Sequence, residues 1–419
     1  MNLWHNYSMK KSGKYFFVLQ WAVVFILTAG MVLFTTGCEP KKPDPQEDQH
    51  IQQLNRRGYE YMTAGDYKNA RTAFEESLAR GDTWEARRGM AEYYYRTDSS
   101  TDEQIKHAGV AVALNPKDPY SHNLLGMAYH RRGDYPVAMK HFLQALSIDP
   151  KFAPALDNAG YASFYMGRDE EALEYFHRAI DAEPGFADSH CGLGMTLARQ
   201  GRENEAEKAF NQAIRLNEHH SYSFYERGVL RIDRGDVPGA LEDFHRALFL
   251  RPRWVSPLLE RGLIYYHTGE FEKALKDFDQ ALKAGGMPGG SRGDEKDVSG
   301  HLHILSGLCH YRMGDATTAE ARLEKGLEML REEPVGLYSF DARGYALYLT
   351  GKPEIALNVL NHPGEALHRH LALSLIYRDR GDSNLAVETL KENLEELYPF
   401  WERKEAERLI RELRPGGTT

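Results

Sequence analysis

Residues 126–150 read GMAYHRRGDYPVAMKHFLQALSIDP, and this stretch decides the fold. A Gly opens it, Gly133-Asp134 sits in the middle, Ala138, Phe142 and Ala145 follow at helical spacing, and Pro150 closes it. The spacing predicts two short amphipathic helices joined at Gly133. Stepping by 34 residues from Gly58 reaches Glu92, Gly126, Gly160, Gly194, Gly228 and Gly262 without an insertion. The other columns keep that step. Ala stands at 70, 138, 172, 206, 240 and 274, Phe at 74, 142, 176, 210, 244 and 278, and Ala at 111, 145, 179, 213, 247 and 281. Pro116, Pro150, Pro184 and Pro252 end their units. A fixed step of this length marks a repeat architecture.

The columns explain themselves physically. Small residues let two helices of one unit approach, and the aromatic fills the space between that pair and the next unit. Gly65, Gly133, Gly167, Gly201, Gly235 and Gly269 suit a left-handed helix C-cap. Asp66, Asp134 and Asp236 follow as N-caps of the second helix. A helical hairpin of this kind cannot bury its apolar face alone, so units stack.

With small residues at unit positions 8 and 20, an aromatic at 24, Ala at 27 and Pro at 32, the pattern resembles the tetratricopeptide repeat (TPR). The resemblance implies an all-α fold, a right-handed α-solenoid of about ten helix-turn-helix units with a C-terminal capping helix. Units 1–7 span 51–283 and weaker units 8–10 span 300–400, where Leu323, Leu360 and Leu390 replace Phe. Between them lies a Gly-rich insertion, 284–299, with neither the Lys-Ser/Thr nor the flanking strand of a phosphate loop. Residues 401–419 read as a capping helix and tail, with Leu409, Ile410 and Leu413 on its apolar side.

The start of the chain has another character. Lys10, Lys11 and Lys14 precede an apolar run from Tyr15 to Phe34, then Thr35-Thr36-Gly37-Cys38. A basic start, an apolar stretch and small residues describe a secretory signal, and translation from Met9 would give it a more typical beginning. Gly37-Cys38 resembles the lipobox of bacterial lipoproteins, although Thr35 stands where that family prefers Leu. The resemblance implies lipidation at Cys38. The alternative over 1–38 is an uncleaved anchor, since about 20 apolar residues span a bilayer. Glu39, rather than Asp, after Cys38 favours the outer membrane. Residues 39–50, with Pro40, Pro43 and Pro45, read as a disordered tether.

Composition excludes several functions. The net charge is −9, about +1 of it over residues 1–50, and no Lys/Arg cluster appears, so nucleic acid is not an expected partner. Three cysteines are too few for a disulfide framework, and Cys191 and Cys309 read as small apolar helix residues. His301, His303 and His310 do not assemble a zinc site, His303 and His310 falling at packed positions 4 and 11. His219-His220, at the joint of units 5 and 6, reads as solvated. Repeats leave no stretch long enough for a catalytic domain, so neither an enzyme nor a cofactor is expected.

In this family, positions 2, 5, 9 and 12 line a concave groove that holds partner proteins. On that basis the groove residues are Asn123, Met127, His130, Asp157, Tyr161, Phe164, Met195, Tyr225, Ile232, Leu263 and Tyr266. Most are apolar or aromatic, which points to an amphipathic helix or an apolar segment as ligand; the competing reading is that neighbouring helices cover the stripe. The clamp that holds peptide C-termini in chaperone-binding members is matched only at Asn123. A small-molecule site would need converging ionisable groups, and only Asp157 and His130 qualify. The expectation is a membrane-tethered, non-enzymatic scaffold on the periplasmic face of a bacterial envelope, of the kind that assists assembly of pilus, secretin, polysaccharide-export, outer-membrane or cell-wall machinery. The alternative is a cytosol-facing regulator on an uncleaved anchor.

Overall fold

The computed structural model describes residues 45–285, 298–330, 346–360, 369–392, 408 and 410–411. The stretch read as a signal or anchor, with Cys38, most of the Gly-rich insertion, Gly344 of unit 9, and nearly all of 401–419 lie outside the described residues. The chain divides at Gly89 into two compact bodies.

The first body holds α1 (Pro45–Thr63) and α2 (Tyr67–Arg80), packed as a pair. Helix α1 begins at Pro45, inside the stretch expected to be a tether. Proline at a helix start loses no hydrogen bond, and Glu47 and Asp48 fall in the first turn, where carboxylates complement the helix dipole. Phe74 is fully buried here, against Gly58 and Gly89. Helix α3 (Trp84–Thr97) crosses the boundary between the bodies.

The second body continues with α4 (Thr101–Leu114), then α5 (Pro119–Arg131) and α6 (Tyr135–Ile148) of unit 3. Unit 4 is α7 (Ala153–Tyr165) and α8 (Asp169–Ala182), and unit 5 is α9 (Ala187–Arg199) and α10 (Glu203–Leu216). Unit 6 is α11 (Ser221–Asp233) and α12 (Val237–Leu250), and unit 7 is α13 (Val255–His267) and α14 (Phe271–Lys283). Beyond the insertion come α15 (Ser299–Arg312), α16 (Ala316–Met329), α17 (Pro353–Leu360), α18 (Arg369–Asp379) and α19 (Ser383–Glu392). The described helices of this body pack in consecutive pairs, as in a TPR solenoid, and no strand occurs among the described residues.

The turn between helices A and B is set by Gly133 and its counterparts. Gly133 adopts φ 78°, its N–H donates to the His130 carbonyl at 2.9 Å, and the Asp134 N–H donates to Tyr129 at 3.0 Å. That pair of bonds satisfies the last carbonyls of helix A, and only a residue at ease with positive φ can make it. The side chain of Asp134 then accepts from the Val137 N–H at 3.3 Å and opens helix B. Where Arg168, Arg202 and Glu270 stand instead, no side-chain cap forms.

The phenylalanine column is the core. Phe142, Phe176, Phe210, Phe244 and Phe278 are all fully buried. The rings lie against the marker glycines: a Cβ at Gly160 would come within 2.7 Å of the Phe176 ring. In unit 8 the smaller Leu323 occupies this place, against Gly307. Cys191 and Cys309 are buried in helices, as expected, and burial pushes the Cys309 thiol up to about 12.

Two units depart from the apolar plan. At position 7 units 3 and 5 carry Leu125 and Leu193, but units 6 and 7 carry Arg227 and Arg261. Each Arg pairs with a buried Asp on helix B of its own unit. Arg227 meets Asp243 at 2.6 and 2.9 Å, and Arg261 meets Asp277 at 2.7 and 2.8 Å. Arg231 adds a third bond to Asp243 at 2.8 Å. A buried carboxylate held this way is costly to isolate.

Candidate protein-binding site

The A helices of units 3–5, with Tyr95 of unit 2 and Tyr222 of unit 6, line an open cleft of about 220 Å³. Of the predicted groove residues, Asn123, Met127, His130, Asp157 and Tyr161 line it. They are joined by residues that the spacing argument did not single out: Tyr95, Arg131, Asn158, Asp188, His220 and Tyr222 among them. Arg131, Asn158, Asp188 and Tyr222 occupy unit positions 13, 6, 2 and 2. Asp188 and Tyr222 stand in column 2, already one of the groove columns, while Asn158 and Arg131 lie one step beyond columns 5 and 12.

The cleft walls are tied together by polar bonds from one unit to the next. Asn158 Nδ2 donates to Asn123 Oδ1 at 3.0 Å, linking units 3 and 4. Ser189 Oγ donates to Asp157 Oδ1 at 2.9 Å, and the Tyr161 hydroxyl donates to the Asp188 carbonyl at 3.1 Å, linking units 4 and 5. His220 Nε2 faces Asp188 Oδ1 at 3.2 Å. Its Nδ1 accepts the Ser223 N–H at 3.3 Å and so caps α11. His220 is therefore a buried joint between units 5 and 6, where a solvated residue was expected; the cap bond and the carboxylate together draw it inward. Arg131 lies over the Tyr95 ring at 5.1 Å and donates to the Tyr95 carbonyl at 3.1 Å. Burial raises the Tyr95 phenol, with Arg131 opposing.

The remaining predicted groove residues do not line this cleft. Phe164 is half-buried beneath the Arg199 guanidinium, 3.6 Å from its centroid. Met195 is buried within the core of units 4–6, and Tyr266 is only 1% exposed, packed edge-on to Phe271. Tyr225, Ile232 and Leu263 are half-buried against core clusters. Of the five that line the cleft, Asn123 and Asp157 are themselves buried, and Met127, His130 and Tyr161 are half-buried.

The other residues singled out in the sequence are placed as follows. His303 is buried, with Nδ1 3.4 Å from Arg322, and desolvation holds its pKa below the usual value. His310 is half-buried and faces Asp315 at 3.2 Å. Desolvation pushes the Glu260 carboxyl of α13 up to about 7, and the Asp233 carboxylate at the end of α11 adds to the effect. Among the described residues no group of three His, Cys, Asp or Glu is placed to hold a metal ion. No helix among them is long and apolar enough to cross a membrane.

Known families agree with this geometry. The tetratricopeptide repeat family matches at residues 119–152, and again at 55–104, 158–220 and 225–286. The chain is a tetratricopeptide-repeat protein, an all-helical scaffold of the class that binds other proteins. It is similar to PilF of Pseudomonas aeruginosa, at 22% identity over 52% of this chain and 94% of that one, with a TM-score of 0.44. It is also similar to PilW, a type IV pilus biogenesis factor, at 19% identity over 52% and 96%, with a TM-score of 0.43. The Cut9–Hcn1 assembly of the APC/C aligns at 14% identity over 87% of this chain and 76% of that one, with a TM-score of 0.47. No curated protein sequence matches the chain.

Proposed function

We propose that the chain is a non-enzymatic adaptor. It holds a partner protein in the A-helix cleft of units 3–5 and is tethered to a bacterial envelope membrane through Cys38. The observation that carries the binding reading is the cleft itself: five predicted groove residues converge on it, and interunit hydrogen bonds preset its walls. A wall in which Met127, His130, Asn158 and Tyr161 are half-buried suits an extended segment that offers both apolar side chains and hydrogen-bonding groups. Preset walls also reduce the ordering that binding requires. The tether rests on the sequence: the basic start, the apolar run and Gly37-Cys38. A periplasmic-face location, with the outer membrane favoured by Glu39, and a role in assembling an envelope complex follow from that tether.

Cross-linked capture of the full chain in its native membrane tests the cleft. Met127 and Asn158 line it and are half-buried, so Met127→Lys with Asn158→Lys changes the wall while sparing the Phe column. The expected result is a partner enriched with the wild type and reduced at least about tenfold with a double variant of unchanged helical circular dichroism. Equal enrichment with both proteins would remove the cleft from consideration.

The tether makes its own prediction. Cys38→Ala should move the protein from the detergent phase to the aqueous phase, because a lipid chain contributes about 0.8 kcal/mol per buried CH₂. Retention in the detergent phase would favour a spanning anchor instead.

A further inference from the structure

Unit 6 carries a second surface, on helix α12, that shares no residue with the cleft. An open depression of about 510 Å³ is lined by Phe224, Arg227, Glu242, Asp243, His245, Arg246 and Phe249. Phe249 is 74% exposed, the most exposed large apolar side chain among the described residues. Its column, unit position 29, is otherwise polar from unit 3 to unit 7: Ser147, Asp181, Arg215 and Lys283. Nothing in the repeat's own packing asks for an aromatic there.

Arg246 stands beside it. The guanidinium carbon lies 5.3 Å from the Phe249 centroid and 5.8 Å from that of Phe224. Among the described residues Arg246 makes no ion pair, and its hydrogen bond is a long one, 3.5 Å to the Glu218 carbonyl. Unit 4 offers an internal comparison. There Arg178 has the same register and pairs with Glu174, four residues earlier, at 3.8 Å. Unit 6 has the same acid, Glu242, four residues before Arg246, yet the guanidinium turns to the two rings. An arginine stacked on aromatics keeps its outer N–H groups free for a carboxylate, and the ring beside it offers apolar contact.

We infer that Phe249 and Arg246 form a docking site for a protein segment in which an acidic side chain lies close to a large apolar one. Charge complementarity selects this occupant: the carboxylate meets Arg246 and the apolar side chain meets Phe249 beside the depression. Arg227 is already paired with Asp243, so Arg246 is the cation left to bind. Nucleic acid could also stack on an Arg-Phe pair. A phosphate backbone needs a cluster of cations, and Arg246 is the one arginine of this lining not already paired among the described residues, which opposes it. The site does not depend on the cleft, and either can fail alone.

The test uses the full chain in detergent on an array of immobilised decapeptides, with Asp or Glu placed within a few residues of Phe, Trp or Leu. Matched arrays carry Gln or Lys in place of the acid. The wild type should bind the acidic set at least about tenfold more strongly than the Gln set. Phe249→Ser and Arg246→Gln should each remove that preference, and Arg246→Glu should shift it to the Lys set. Phe249 is exposed, so Phe249→Ser leaves the core intact, and helical circular dichroism checks this. The Met127→Lys, Asn158→Lys protein should bind the array as the wild type does, which separates this site from the cleft. Absence of binding to any acidic peptide, or a pattern unchanged by Phe249→Ser and Arg246→Glu, overturns the proposal. So does an oligothymidylate that competes fully for the same variants' site.

Discussion

Asp243→Ala is expected to lower the stability of unit 6 by about 3–5 kcal/mol, a large effect for a single side chain. Asp243 is only 1% exposed and accepts two bonds from Arg227 and one from Arg231. Removing the carboxylate takes a counter-charge from two guanidinium groups whose side chains are only 15% and 20% exposed. Arg227 keeps a bond to Asn211, which supplies no charge; Arg231 keeps the Gly239 carbonyl and Asp236 at 3.8 Å, so Arg227 is the group left without a counter-charge. The apolar alternative is already present in unit 5, where Leu193 and Ala209 hold the same two positions. Arg227→Leu added to Asp243→Ala should therefore recover much of the loss. Hydrogen exchange over α11 and α12 reads the effect directly, which matters because a long repeat array need not unfold in two states. If exchange in those helices is unchanged in Asp243→Ala, the buried pair is not a structural determinant.

Phe176→Ala is expected to cost about 3–5 kcal/mol through lost burial and the cavity left behind. The ring is fully buried between Gly160 of its own unit and Gly192 of the next, two positions with no side chain to move into the gap. It also supports Tyr161 edge-on at 5.1 Å, and Tyr161 lines the cleft. The loss should thus loosen the cleft as well as unit 4. Because each unit mainly contacts its neighbours, protection should fall in α7–α9 and persist in α15 and α16. A uniform loss of protection through all of these helices would show that the array unfolds as one block.

Legibility in the sequence tracked the kind of interaction involved. Gly133, Asp134 and Phe142 were readable because their roles are local or repeat in register: a positive φ, a cap three residues away, a ring against a small residue. Tyr161 and Asn123 were placed on a shared face by helical spacing. Tyr266 and Met195 share that spacing and yet do not line the cleft, because the same column faces the cleft in one unit and the core in another. His220 looked solvated at a unit joint, and only its approach to Asp188, 32 residues earlier, makes it a buried cap. The Arg227–Asp243 pair was legible in principle as a joint departure in two columns, but spacing alone did not say that both side chains turn inward.

The repeat, its register, the turn glycines and the Phe core can all be read from the sequence alone. This is so because helix periodicity, capping and close approach depend on residues near one another in the chain or one repeat away. What spacing left open, and packing settles, is which A-helix residues line the cleft and that Arg246 turns from Glu242 to the rings. Those outcomes depend on how much apolar area each neighbouring helix covers, and on which partner a long side chain reaches first. Both are set by packing between units rather than by any pattern within one.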